Sequence, residues 1–207
     1  MPAMYPDGPM FDMFIFETTQ LFLKNHLQSN FAPKYYERGD ENMMDAVSQE
    51  LSALEEDTQR DKFLTFALGN EAFGIEIRYV TEIIGVQPVT EIPELPEYIR
   101  GVINLRGKII PVMDVRLRFK KQFREYNDRT CVIVIDIKEL SIGLIVDSVA
   151  EVLTIPGSDI VAPPDINRSG NKYIKGIGKS ENEVKLILDC DRLLTEDEFD
   201  SLNEAVD

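Results

Sequence analysis

The segment GVINLRGKIIPVMDVR, residues 101–116, contains two strongly apolar stretches separated by Arg106-Gly107. Residues 102–105 and 109–115 are rich in Ile and Val, which favour β-strands. Because Gly adopts positive φ easily, Arg106-Gly107 predicts the tight turn of a β-hairpin. Arg106 would then be an exposed cation on a rigid support. Its guanidinium could be an ordinary surface charge or could bind a partner's carboxylate or carbonyl groups, and the residues alone leave both interpretations open.

Strand-like segments continue on both sides of this hairpin. Upstream, residues 63–68 and 72–77 flank Gly69-Asn70 and predict another hairpin, residues 78–84 a short helical or bent connector, and residues 86–92 a further strand. Downstream, a charged connector, residues 116–129, leads to a second set of strands at residues 130–137, 141–146, 151–155, 173–177 and 184–188. The segments CVIVIDI and GLIVDSV are dense in β-branched residues, which predicts strands covered on both faces. The pattern predicts an all-β fold of two small barrels.

The two ends of the chain differ from this β-rich part. Residues 191–205 place Leu and Phe at helical spacing, and Thr195 with Glu198 forms a capping-box pattern, so a C-terminal helix is expected. The first sixty residues contain eleven acidic and four basic residues. They predict an acidic N-terminal extension, residues 1–61, that is partly helical or disordered and precedes a folded domain at residues 62–207.

Within the extension, residues 11–27 and 41–60 predict two helices. The second carries an apolar stripe at helical spacing, consisting of Met43, Met44, Val47, Leu51 and Leu54. The first is rich in aromatic residues. It is expected either to be a tether or to pack its apolar face on the barrels or on a partner.

Composition excludes several classes of protein. A net charge of −15 over 207 residues repels nucleic-acid phosphates and anionic lipid headgroups. The chain has no long uncharged apolar run and no positively charged leader, which predicts a soluble, cytoplasmic protein. Cys131 and Cys190 lie far apart in apolar segments and are expected to be buried free thiols. With one histidine and no CxxC or HExxH motif, no metal or cofactor is expected.

A catalytic centre is not expected either. No nucleophile, base and orienting group can be assembled from the predicted strands. The carboxylates near strand ends cannot be distinguished from solvated surface charges; they are Asp114, Asp136, Asp147, Asp189 and Asp191. His26 is expected to be a surface histidine, with a phosphoacceptor as the alternative.

Several motifs resemble one known family in order and spacing across residues 62–194. They are FLTFALGNEAFGIEI, VTEIIG, VTEIPELPEYIRGVINLRGKIIPVMDVRLRF, CVIVIDI, GLIVDSVAEVL and YIKGIG. With the specific NLRGxxxPVxDxR core, they resemble the bacterial chemotaxis coupling proteins, usually called CheW. The first sixty residues depart from the family, whose members commonly begin with a short tail.

This resemblance implies two packed five-stranded SH3-like barrels and a non-catalytic adaptor in chemotaxis. The adaptor would couple the cytoplasmic signalling tips of chemoreceptors to the regulatory domain of the chemotaxis histidine kinase, and would be recruited from the cytoplasm to membrane-associated receptor arrays. The resemblance places the receptor-binding residues in the groove between the barrels, at Val80, Glu82, Asn104, Arg106 and Val132. It places kinase binding at Ile77, with Glu82 shared, although Ile77 fits core packing equally well. The alternatives are a phosphotransfer module using His26 and a general protein-binding β module outside chemotaxis.

Overall fold

The structure of the protein is a computed structural model that describes residues 59–93, 95–163, 172–180 and 183–206. The predicted helix at 11–27, nearly all of that at 41–60, and His26 lie outside these residues. No helix in the described part of the chain is long and apolar enough to cross a membrane. The strands are β1 Lys62–Leu68, β2 Glu71–Glu76, β3 Val80–Gly85, β4 Ile99–Leu105, β5 Lys108–Asp114, β6 Cys131–Ile137, β7 Leu140–Val146, β8 Ser148–Thr154, β9 Ile160–Val161, β10 Ile174–Ser180 and β11 Glu183–Leu188. The helices are α1 Val115–Arg118 and α2 Glu196–Val206.

The strands form two sheets. Sheet A has the order β8-β1-β2-β11-β10-β9, and sheet B has the order β3-β6-β7-β5-β4. Neighbouring strands are antiparallel except for β2 with β11 and β5 with β7, which are parallel. The predicted all-β fold with a C-terminal helix is confirmed. Sheet A contains six strands because β9, with two residues, adds to β10.

The chain does not divide into one sheet before the charged connector and a second sheet after it. Sheet B consists of the consecutive strands β3 to β7, whereas sheet A takes β1 and β2 from before them and β8 to β11 from after them. The chain crosses from sheet A to sheet B through the 3-10 helix Ile77–Tyr79, and returns between β7 and β8. The grouping of strands on either side of residues 116–129 was therefore wrong, because non-local pairing decides which strands share a sheet.

A second correction concerns residues 78–92. The predicted connector at 78–84 contains β3, which pairs with β6 from Val80↔Ile135 to Gly85↔Cys131. The predicted strand at 86–92 is reduced to one bridge, between Thr90 and Val102. Pro88 lacks a backbone N–H and interrupts this segment, which explains why it forms no continuous ladder.

The strands β6 and β7 lie in the interior. All seven residues of β7 are buried, and in β6 only Asp136 is exposed. This confirms the prediction of strands covered on both faces. One face joins the core of sheet B, which consists of Ile84, Ile103, Ile110, Val112, Val132, Val134 and Ile145. Since burying one such side chain contributes about 1.5–3 kcal/mol, this core is a main source of stability.

The free edge of β4 is covered by the segment that follows β3. The backbone N–H groups of Thr90 and Val102 each donate to the other residue's carbonyl, at 2.9 Å in both cases. Val102 uses its backbone N–H and carbonyl to bind Thr90. Its partner on β5, Pro111, has no N–H and does not need to donate a hydrogen bond to β4 at this position. Gly101 has φ +131°, and a Cβ there would lie 2.1 Å from the Thr90 carbonyl oxygen. Only glycine fits this closure.

A buried arginine ties α2 to the rest of the fold. The side chain of Arg118, 4% exposed, binds Glu198 through two hydrogen bonds, of 3.0 and 2.7 Å. Its guanidinium carbon lies 4.3 Å from the ring centroid of Tyr98 and 4.9 Å from that of Tyr173. These four residues are called the Arg118 cluster. Tyr98 precedes β4 of sheet B and Tyr173 precedes β10 of sheet A, so the cluster joins both sheets to α2.

Glu198 also performs its predicted capping role. Its carboxylate accepts from the backbone N–H of Thr195 at 2.8 Å, and its own N–H donates to the Thr195 hydroxyl at 3.4 Å. The capping box is therefore confirmed. Partial burial opposes ionisation of Glu198, but hydrogen bonds from Arg118, Tyr98 and Thr195 outweigh it and lower its pKa to about 2.

Both cysteines are buried and free, as predicted. Burial raises the pKa of the Cys190 thiol to about 12, and nearby carboxylates add to the shift. A thiol of this kind is unreactive at neutral pH.

We predict that Gly101→Ala destabilises the protein by about 2–5 kcal/mol, because the new methyl group displaces Thr90 and breaks both closing hydrogen bonds. Chemical denaturation of the purified variant measures this loss. Gly85→Ala is the matched control, since no atom lies within 4 Å of a Cβ at that position. It should change the free energy of unfolding by less than about 1 kcal/mol. Equal stability of the two variants would show that the closure contributes nothing.

The Arg118–Glu198 pair predicts a specific dependence of stability on pH. Because the folded pKa of Glu198 is lowered to about 2, its contribution is present above the unfolded value of about 4.3 and is lost as pH falls toward 2. Because the carboxylate is partly exposed and therefore screened by solvent, we expect this contribution to be about 1–2 kcal/mol. Denaturation of wild type and Glu198→Gln between pH 7 and pH 2 should show a difference that shrinks over this interval. A difference that stays constant with pH would contradict the assignment.

Candidate protein-binding surface

The hairpin of β4 and β5 forms as predicted, with Arg106-Gly107 at its turn. Both residues have positive φ, 53° and 91°, as in the tight turns that suit the twist of paired strands. The side-chain oxygen of Asn104 accepts from the Gly107 N–H at 2.8 Å and holds the turn closed. The ladder extends from Ile99↔Met113 to Leu105↔Lys108. Arg106 therefore projects from a firmly paired support.

Arg106 contacts Glu82 on β3. One guanidinium nitrogen, Nη2, lies 2.7 Å from the Glu82 Oε1 atom. The Arg106 side chain is 72% exposed, whereas that of Glu82 is 21% exposed. An exposed pair of this kind contributes about 0–1 kcal/mol to folding. The guanidinium has five N–H donors, so most of its hydrogen-bonding capacity remains available to a partner.

Glu82 lies beside the apolar core of sheet B. Side chains alternate along a strand, so Glu82 shares a face of β3 with the buried Ile84. Thr81 donates its hydroxyl to the carbonyl of Val134 at 3.1 Å and anchors this part of β3 to β6. The carboxylate is thus fixed next to the core, where it can orient Arg106.

Ile109 adds an apolar group that the sequence reasoning missed. It lies directly opposite Asn104 in the hairpin, and opposite residues share a face. Ile109 is 39% exposed, whereas its neighbour Ile110 is buried in the core. The sequence feature that could have identified Ile109 is its position across the two-residue turn from Asn104. We call Glu82, Asn104, Arg106 and Ile109 the Arg106 surface.

The remaining predicted receptor-binding residues are buried. Val80 is 7% exposed and Val132 is 1% exposed, and Val132 belongs to the core of sheet B. All five predicted residues lie on sheet B and its β4–β5 turn. The structure brings Glu82, Asn104 and Arg106 to the surface and places Val132 in the core beneath it, whereas Val80 pairs with Ile135 and lies outside that core.

Ile77, the predicted kinase-binding residue, is also buried, at 6% exposure. It begins the 3-10 helix at which the chain leaves sheet A. Polar groups surround this segment: Arg78 binds Glu76 at 2.7 Å, and the Tyr79 hydroxyl donates to Asp191 at 2.9 Å. Burial and this hydrogen bond raise the pKa of Tyr79 to about 12. Of its two interpretations, the position of Ile77 favours core packing.

The carboxylates singled out in the sequence have structural partners. The closest are Asp114 with the N–H of Arg116, Asp136 with Ser141, Asp147 with Arg116, Asp189 with Arg192, and Asp191 with Tyr79. In residues 59–93, 95–163, 172–180 and 183–206, no group of three or more His, Cys, Asp or Glu side chains could hold a metal ion.

Sequence comparison relates the chain to proteins of bacterial chemotaxis. The model of the CheW-like domain family matches residues 62–198. A chemotaxis protein CheW of Klebsiella aerogenes is 36% identical over 150 residues, which cover 72% of this chain and 90% of that protein. A chemotaxis protein CheW of Treponema pallidum is 32% identical over 146 residues, which cover 68% of this chain and 86% of that protein.

Comparison of structures gives a concordant result. The scaffolding protein TtCheW from Thermoanaerobacter tengcongensis has a TM-score of 0.61 and 37% sequence identity. The match covers 64% of this chain and 91% of that protein. The likeness therefore extends over nearly the whole of the solved protein.

We predict that Ile77→Lys destabilises the protein by about 3 kcal/mol or more, because it buries an unpaired ammonium group. Arg78→Ala, at the next residue, should cost less than about 1 kcal/mol, since the Arg78 side chain is 57% exposed. Urea denaturation of both variants measures the difference. If Ile77→Lys is as stable as wild type, Ile77 is a surface residue and its assignment to the core is wrong.

Proposed function

The chain belongs to the CheW-like family, whose members are scaffold and coupling proteins of chemotaxis, and we propose that it is a non-catalytic adaptor. In this role it couples the cytoplasmic signalling tips of chemoreceptors to the regulatory domain of the chemotaxis histidine kinase. The family match and the Arg106 surface support this proposal together. A bridging protein needs fixed, exposed recognition groups, and the β4–β5 hairpin presents one on a paired support.

The single observation that carries receptor binding is the Arg106–Glu82 pair. The ion pair with Glu82 and the closed turn restrict the position of the Arg106 side chain, yet 72% of that side chain is exposed to solvent. A receptor carboxylate or carbonyl can accept from the unused N–H groups without unfolding any part of the hairpin. The neighbouring Ile109, 39% exposed, supplies apolar area that a partner can bury.

Val80 and Val132 take part in this proposal through packing. Val132 lies in the core together with Ile103 and Ile110 of the hairpin, so its volume sets the position of the strands beneath the Arg106 surface. A change at Val132 would alter receptor binding by moving β4 and β5, and no direct contact with the receptor is required.

Kinase binding is proposed at the crossing from sheet A to sheet B, around Ile77, with Glu82 shared between the two partners. Since Ile77 is buried, its role is to hold the exposed polar residues beside it. Arg78, 57% exposed in its side chain, is one group there that a kinase domain can contact. Glu82 lies on the strand that follows this crossing, which is consistent with a shared position.

The location and the domain division follow as part of the same proposal. Residues 62–207 form the CheW-like domain, and residues 1–61 form an acidic extension outside it. The adaptor works in the cytoplasm and is recruited to membrane-associated receptor arrays by its partners. No cofactor is required, because recognition depends on surface contacts alone.

We predict that Arg106→Ala weakens binding to a receptor cytoplasmic fragment by about 1–4 kcal/mol, because it removes a central cation of the interface. The fold should persist, since the side chain is exposed and its ion pair contributes little. Isothermal titration with the receptor fragment, and separately with the kinase regulatory domain, measures both affinities. We expect the kinase affinity to change less than the receptor affinity, because Arg106 lies outside the proposed kinase contact and only its partner Glu82 is shared.

Arg192→Ala is the matched control for this experiment. Arg192 is also an exposed arginine, 71% accessible, and it pairs with Asp189 at 3.2 Å, but it lies outside the Arg106 surface. Unchanged receptor affinity in a folded Arg106→Ala variant would refute the proposed surface. Incubation with the kinase and radiolabelled ATP tests the adaptor role itself: kinase autophosphorylation should change while this protein stays unlabelled, and label on the protein would favour a phosphotransfer module.

A further inference from the structure

Polar side chains replace the apolar core of sheet B at the end where the β4–β5 turn lies. Along a strand, every second side chain lies on the same face. On β6, Val134 belongs to the core, and Asp136 is the next residue on that face. On β5, Lys108 occupies the corresponding place before the core residue Ile110. The core-facing side of the sheet therefore ends in opposite charges on β6 and β5.

A serine on the strand between them connects the two charges. Ser141 lies on β7, pairs with Asp136 and is 9% exposed. Its hydroxyl accepts from the Lys108 Nζ atom and donates to the Asp136 Oδ1 atom, at 2.6 Å in both cases. Lys108 and Asp136 themselves are exposed. The buried hydroxyl therefore holds an exposed ammonium group and an exposed carboxylate side by side.

The Arg106–Glu82 ion pair continues this arrangement. Sheet B has the strand order β3-β6-β7-β5-β4, and its first four strands carry, in that order, Glu82, Asp136, Ser141 and Lys108. Arg106 follows in the β4–β5 turn and returns to Glu82 at 2.7 Å. We call these five residues the rim of sheet B. Its carboxylates lie on β3 and β6 and its cations lie on β5 and the turn, so one side of the rim is negative and the other is positive.

Both sides of the rim retain hydrogen-bonding capacity. An ammonium group has three N–H donors, and Lys108 uses one of them on Ser141. Among the residues that the structure describes, Lys108 forms no ion pair, and no donor binds the Oδ2 atom of Asp136. A partner can therefore bind either charge while the hydrogen bonds through Ser141 stay in place.

A ligand that fits the rim must itself carry both charges. A group of a single charge, such as a phosphate or a metal ion, would be repelled by one side of the rim. Positions three or four residues apart on a helix lie about 5–6 Å from each other, which is comparable with the separation of two groups that bind one hydroxyl. A helical segment with a carboxylate and a cation at this spacing can meet both sides at once.

We propose that Lys108 and Asp136 belong to the receptor-binding surface and fix the direction in which a helical segment of the receptor crosses it. This inference rests on the adaptor function proposed above. The carboxylate of the receptor segment lies toward Lys108 and Arg106, and its cation lies toward Asp136 and Glu82. A segment in the reverse direction would place like charges together, which disfavours that arrangement.

Reversing the two charges tests this proposal, because the reversal keeps both the net charge and the internal hydrogen bonds. In the double variant Lys108→Glu and Asp136→Lys, the Ser141 hydroxyl can rotate, donate to the new carboxylate and accept from the new ammonium group. A rim with a purely structural role therefore predicts unchanged receptor affinity. We expect the affinity for the receptor cytoplasmic fragment, measured by isothermal titration, to fall about tenfold or more at about 0.05 M salt. The loss should shrink at about 0.5 M salt, because salt screens exposed charges.

The matched control is the double variant Lys121→Glu and Glu71→Lys. This pair is also an exposed lysine and carboxylate, 2.6 Å apart, but it joins the connector after β5 to β2 of sheet A and lies outside the rim. Its reversal should leave the receptor affinity unchanged. Asp136→Asn gives a second measurement that retains an acceptor for Ser141, and it should weaken receptor binding about threefold. Urea denaturation checks that each variant is folded.

Three outcomes would overturn the proposal. They are a folded reversed rim that binds the receptor fragment as wild type does, a loss of equal size at both salt concentrations, and a loss confined to the kinase regulatory domain. The comparison with Arg106→Ala separates this inference from the adaptor function. If Arg106→Ala weakens receptor binding and the reversed rim does not, only the role of Lys108 and Asp136 is refuted. If neither variant weakens it, the proposed receptor surface is wrong as well.

Discussion

The close approach of Gly101 to the carbonyl of Thr90 is the constraint on which sheet B depends. Strands β3 and β4 are its two edges, and an unpaired edge exposes a row of unsatisfied backbone groups. The segment after β3 covers the edge of β4 through the bridge between Thr90 and Val102. This closure lets Ile84 of β3 and Ile103 of β4 enter one core, although they belong to opposite edges of the sheet. It also accounts for the ion pair between Arg106, at the end of β4, and Glu82 on β3.

Because of this closure, the stability of the fold depends on its core and only slightly on the contacts of its surface residues. The core of sheet B is formed by aliphatic side chains, which contribute far more free energy than an exposed ion pair. Arg106 can therefore lose or exchange its partner at little cost to folding. The positive φ of Arg106 serves the turn, whose conformation the Asn104 hydrogen bond holds regardless of what the guanidinium contacts.

Local patterns in the sequence were sufficient to predict the positions of most strands, but they did not show which strands pair with one another. The β-branched segments of β6 and β7, the Arg106-Gly107 turn and the Thr195–Glu198 capping box depend on neighbouring residues, and each was predicted correctly. The exchange of strands between the two sheets depends on contacts between residues far apart in the chain, and it was missed. Strand β3 was missed for a related reason: it pairs with β6, which lies far away in the sequence, and that pairing is not visible in the local pattern.

The candidate site shows the same division between local and non-local information. Motif order pointed to Glu82, Asn104 and Arg106, whose side chains do face solvent. It could not reveal that Val132 points into the core, because CVIVIDI is apolar on both faces and alternation gives no direction. Nor could it identify Ile109 as exposed, since Ile110 beside it has the same chemistry. The direction of each side chain became clear only from the register with Asn104 and from the closed core.

An ion pair with one fully buried partner is a surprising choice for joining the two sheets, because removing a charge from water costs several kcal/mol. Apolar residues of similar volume would often be as stable in the place of Arg118 and Glu198. The guanidinium, however, constrains directions as well as distances: two of its nitrogens bind the two carboxylate oxygens of Glu198, while the rings of Tyr98 and Tyr173 lie near its carbon. Apolar contacts tolerate small rotations, whereas this arrangement does not. Since Tyr98 leads into sheet B and Tyr173 into sheet A, the Arg118 cluster sets the orientation of one sheet against the other.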